Sequence, residues 1–112
     1  MSNVLHFDMR LKELEEKATD RLLMADVFDE KAFAELYSHI CLTAEKLKPE
    51  YAVSKQFLAS VLKASNAIRS RAEYLPELKR HLKWANDFEV VLGLVAIGEA
   101  PSDRKPDAPR II

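Results

Sequence analysis

The segment Ser54–Leu75 reads SKQFLASVLKASNAIRSRAEYL, and its reading decides the fold. Two interpretations compete for it. As a helix-turn-helix, it puts Leu58, Ala59, Leu62, Ala64, Ser65 and Ile68 at the small and apolar positions, with Arg69 and Arg71 on the recognition element. Lys63 would then stand at the turn, where such motifs often carry glycine. As one helix, it aligns Phe57, Val61, Ala64, Ile68, Ala72 and Leu75 in a single seam of three- and four-residue steps. That phase never shifts, whereas a turn would shift it. The segment is read as one continuous helix, and a small DNA-binding regulator stays as an alternative.

Working outward, the same periodicity extends along most of the chain. Phe7, Leu11, Leu14, Ala18, Leu22 and Ala25 form the seam of a first amphipathic helix over about 7–26, with charged residues between them. Asp29 is placed to cap a second helix, and Phe28 and Phe33 are spaced for a hydrophobic staple across that cap. The second seam is Phe33, Leu36, Ile40, Ala44 and Leu47, closed by Pro49. Ser54 or Pro49 starts the third helix. Pro76 separates it from a fourth, whose seam is Leu78, Leu82, Ala85, Phe88, Leu92 and Val95. Gly98 suits a left-handed cap. The expected fold is all-α: a four-helix antiparallel bundle, or a helical hairpin, completed by dimerisation. Residues 1–98 form the single domain, and the proline-rich 99–112 an extended or disordered tail.

Composition narrows function by exclusion. The chain has 112 residues, a net charge of −1, one cysteine and two glycines. No phosphate-cradling glycine loop can be written. Cys41 has no disulfide partner within the chain, which suits a reducing cytoplasm. The N-terminus lacks the pattern of a signal peptide. The longest strongly apolar run, Val90–Ile97, is far short of the roughly 20 residues that span a bilayer. Residues 1–50 carry 7 basic and 11 acidic side chains, and residues 51–90 carry 7 basic and 4 acidic. That asymmetry reads as helices attracting one another rather than as a nucleic-acid footprint.

Chemistry-bearing residues are sparse. His39 follows Glu35 by four residues, and His81 follows Glu77 by four, with Pro76 interrupting the longer face through Glu73. Neither matches the Glu-x-x-His spacing of a di-metal bundle. Cys41, beside the second seam, reads as a small inert thiol. No catalytic residue, metal site or cofactor is expected.

The apolar surface is more informative. The fourth helix closes on Phe88-Glu-Val-Val-Leu-Gly-Leu-Val-Ala-Ile97, apolar on nearly every side. Val90, Leu94 and Ile97 fall on a second stripe, opposite Ala85, Leu92 and Ala96. A helix that is apolar all round is covered all round. The cover is a second subunit, a partner, or a return of Ile111-Ile112 or Val4-Leu5. Self-association through Val90, Leu94 and Ile97 is the preferred reading.

Length, helical content and that apolar close together resemble the small helical antiactivators of bacterial quorum sensing. The likeness is to the QslA type of pseudomonads, and more loosely to the TraM type of agrobacteria. The resemblance implies a cytoplasmic dimer that binds a LuxR-type transcription factor and blocks its dimerisation and DNA binding. A phage anti-defence or toxin-immunity protein has the same size and the same lack of chemistry, and is the first alternative. Any of these acts through a contact face with a few apolar anchors and a polar rim. Tyr37, His39, Ile40 and Leu42 on the second helix are the expected anchors. Glu35 and Lys63 are the expected rim charges.

Overall fold

The computed structural model describes residues 7–103. The N-terminal Val4-Leu5, His6 and the distal tail 104–112, with Ile111-Ile112, lie outside the described residues. The described residues form five helices and no strand. Helix α1 spans residues 9–25 in three pieces: Met9–Glu15, a π-helical stretch Glu16–Asp20, and Arg21–Ala25. Leu14, Ala18 and Leu22, spaced by four residues, are all buried along it. Asp26 then ends the helix in the left-handed region at φ 55°.

Helix α2, Glu30–Leu47, starts as its sequence dictates. The Asp29 carboxylate accepts from the Ala32 amide at 3.1 Å, and the rings of Phe28 and Phe33 stack at 5.0 Å. Helix α3, Lys55–Ala72, starts at Ser54, whose hydroxyl oxygen accepts from the Phe57 amide at 3.1 Å. It is unbroken through Lys63. The two-helix DNA-reading unit over 54–73 is therefore not formed.

The expected fourth helix is two. Helix α4, Pro76–Lys79, has proline in its first turn, and α5, Leu82–Ala96, follows after Arg80 and His81. The break falls where the His81 ring stacks on Phe28 at 4.6 Å and approaches Glu30 at 3.7 Å. These contacts tie the α4–α5 joint to the start of α2. Gly98, at φ 77°, ends α5 with the paired bonds of a Schellman motif: Gly98 N–H to Val95 O at 3.1 Å and Glu99 N–H to Leu94 O at 2.8 Å.

Phe33, Leu36, Ile40, Phe57, Val61, Ile68, Phe88 and Val91 form the centre of one core shared by α1, α2, α3 and α5. Helices α3 and α5 lie side by side in opposite directions: Arg69 reaches Asn86 and Glu89, and Ser65 also donates to Glu89. The tail begins packed rather than extended. Ala100 is fully buried, Pro101–Asp103 forms a 3-10 turn, and Asp103 pairs with Lys48 at 2.9 Å beside the end of α2. The Lys48 ammonium holds the Asp103 carboxyl below its ordinary pKa. The Cα trace is flat, measuring 39 × 37 × 19 Å. No helix among the described residues is long and apolar enough to cross a membrane.

Candidate protein-binding groove

The first residues that place the groove lie at the start of α1. The Asp8 carboxylate caps that helix, accepting from the Leu11 amide at 3.0 Å. Its other oxygen lies 2.7 Å from Nε2 of His39 on α2. The Asp8 backbone is held from α3: its N–H donates to Gln56 Oε1 at 2.8 Å, and Gln56 Nε2 donates to its carbonyl at 2.9 Å. One residue thus joins three helices. Burial pushes the Asp8 carboxyl up, but the bonds from His39 and Leu11 outweigh it and hold the group below the usual carboxylate range.

With α1 pinned there, a surface groove of about 420 Å³ opens between α1 and α2. Leu14, Ala34 and Leu42 supply its apolar lining, and Arg10, Lys31, Glu35, Ser38 and His39 its polar lining. A second hollow of about 360 Å³ adjoins it, sharing Lys31 and Glu35 and adding Lys17, Arg21 and Asp29. Together they make a furrow along α1 and α2. Arg10 lies 4.0 Å from Glu35, and Arg21 lies 3.5 Å from Asp29. Lys17 and Lys31 make no ion pair among the described residues. The furrow is cationic, although it lies in the acidic half of the sequence.

Of the six residues expected to meet a partner, Glu35, His39 and Leu42 come together in this groove, and Leu42 is 63% exposed. The other three do not join them. Ile40 is a core residue with no exposed surface. This corrects its assignment as an anchor: it lies on the buried seam of α2. Tyr37 is half-buried, and its ring meets Trp84 and Phe88 edge-on at 5.7 and 5.4 Å. It serves an internal aromatic cluster. Lys63 lies on α3 and spans Glu15 at 3.1 Å and Asp20 at 2.7 Å. Those carboxylates keep its ammonium above the ordinary lysine pKa, and it brackets the π stretch rather than rimming the groove.

The expected self-association stripe also divides. Leu94 is only 5% exposed and Val90 is half-buried, whereas Ile97 is 63% exposed. Leu94 is corrected to a core position.

Sequence reasoning missed Arg10 and Lys31, which read as ordinary solvated charges on two amphipathic helices. Their proximity across the furrow follows only from how α1 and α2 pack. Cys41 is half-buried, and burial pushes its thiol above the ordinary value. Among the described residues, no cluster of three or more His, Cys, Asp or Glu side chains is placed to hold a metal ion. No protein-family model and no solved structure matches this chain.

Proposed function

We propose that this protein is a non-enzymatic regulator that acts by protein–protein contact, and that the furrow between α1 and α2 is its target-binding site. The observation that carries the reading is an exposed leucine, Leu42, set in a groove beside two lysines, Lys17 and Lys31, that make no ion pair among the described residues. The occupant that fits is an amphipathic helix of a partner. One apolar side chain would pack against Leu42, Leu14 and Ala34. Acidic side chains would face Lys31, Lys17 and Arg21. Glu35 and His39 would fix the register.

The likeness to quorum-sensing antiactivators names the target class to test first, a LuxR-type transcription factor. In that reading the protein occupies a surface of the activator that it needs for its own dimerisation, so DNA binding is lost. The flat helical body would be completed as a bundle by a second copy.

A gel shift tests the function directly. A LuxR-type activator is bound to its operator DNA and titrated with the wild-type protein or with Leu42→Glu. The wild type should release the DNA, and Leu42→Glu should leave the activator–DNA complex in place. Retention of the complex with the wild type would defeat the antiactivator reading.

A further inference from the structure

The side-chain bonds between α3 and α5 fix a register. Arg69 meets Asn86 and Glu89, and Ser65 meets Glu89. Stepping along both helices by three or four residues brings Leu62 level with Gly93, and Leu58 level with Ala96 and Ile97. Leu58, Leu62, Ser65 and Arg69 form one stripe of α3. Ile97, Gly93, Glu89 and Asn86 form the neighbouring stripe of α5. One end of this two-helix face is polar and internally paired. The other end is apolar and open: Leu58 is 38% exposed, Leu62 47% and Ile97 63%, with Gly93 and Ala96 exposed beside them.

Gly93 stands in the interior of α5, where glycine is disfavoured relative to alanine. A Cβ built on it meets nothing within 4 Å, and its φ is not positive. Neither crowding nor backbone geometry within the protomer requires a glycine there. Close approach of another helix would require one.

We propose that this α3–α5 face is a self-association surface and that its occupant is a second copy of the chain. The face carries a projecting leucine pair on one helix and a gap at Gly93 and Ala96 on the next. A two-fold axis between them lets Leu62 of each copy fill the gap of the other, so one contact is made twice. Charge does not oppose it. No ionisable residue occurs from Gln56 to Leu62 or from Val90 to Gly98, and the Arg69–Glu89 pair is neutral as a unit. The 18-residue α3 is about 27 Å long, and two packed helices are about 20 Å wide. The whole face, polar end included, projects roughly 540 Å², which reaches the lower range of interface sizes, below the standard of about 800 Å² per partner. The pairing would also double a molecule only 19 Å thick. It stands independently of the α1–α2 furrow.

Light scattering after size exclusion tests this on the full chain, over a concentration series. The wild type should show twice the 12.8 kDa monomer mass. Gly93→Leu should stay helical, because its side chain enters open space and leucine favours the helix. It should fill the gap and weaken the dimer on the order of tenfold or more. Leu62→Glu should do the same. A wild type that remains monomeric throughout overturns the proposal and gives the face to another occupant. So does a Gly93→Leu variant that is folded and dimerises like the wild type.

Discussion

Asp8 shows how much one side chain carries here. It caps α1, holds His39 and is gripped through its backbone by Gln56. Asp8→Ala should lower stability by about 0.5–2 kcal/mol, the usual range for a lost N-cap, measured by urea unfolding at neutral pH. Because the folded-state carboxyl is held low, its contribution is complete above the unfolded value, near 4. It is lost as pH falls through the lower folded value. Asp8→Asn keeps a capping oxygen and should flatten that acid-side loss in a pH series. Thr19 is a second case. Its hydroxyl is buried in the π stretch and makes no hydrogen bond to the described protein atoms. Thr19→Val fills the same space without the polar group, so it should raise stability by about 1 kcal/mol; a lower urea midpoint would show that the hydroxyl is satisfied. Asp29 was legible in the sequence because its partners are local. The Asp8 cap on Leu11 is as local, but its bonds to His39 and Gln56 were not legible, because they span 31 and 48 residues.

At the scale of elements, periodicity specified most of the molecule. The seam from Phe57 to Ala72 is buried as a single stripe; Asp29, the expected cap, and Ser54, one of two expected starts, each accept from the amide three residues on. Removing either oxygen, by Asp29→Ala or Ser54→Ala, should cost about 1 kcal/mol in denaturant unfolding. No change at either position would mean that tertiary packing alone sets the helix starts. Two features escaped local reading. The π stretch carries no spacing signal of its own: Leu14, Ala18 and Leu22 step by four, and so do Leu36, Ile40 and Ala44 in the regular α2. The α4–α5 break was hidden because the seam Leu78, Leu82, Ala85 continues across it. His81 is fixed there by Phe28 and Glu30, more than 50 residues upstream.

For the whole molecule, burial separated residues that spacing had grouped. Leu42 and Ile40 are two positions apart, yet one is exposed in the groove and the other is core. Leu94 and Ile97 divide in the same way. A helical seam predicts which face is buried, but which flanking residues stay exposed depends on the width of the neighbouring helices. The cationic furrow was the least legible feature, since Lys31 of α2 joins Arg10, Lys17 and Arg21 of α1 only when the two helices pack. Its two unpaired lysines give it a salt-sensitive attraction for an acidic partner. Lys31→Glu should therefore weaken target binding mainly at low ionic strength. The central claim is that contact through this furrow is the function. It is tested most directly by titrating a purified LuxR-type ligand-binding domain with the wild type and with Leu42→Glu, and measuring affinity by calorimetry. Leu42 is exposed, so its replacement should leave folding nearly unchanged, within about 0.5 kcal/mol. Saturable wild-type binding that Leu42→Glu weakens by about tenfold or more is the predicted result; no wild-type binding, or equal affinity for the two proteins, would contradict it.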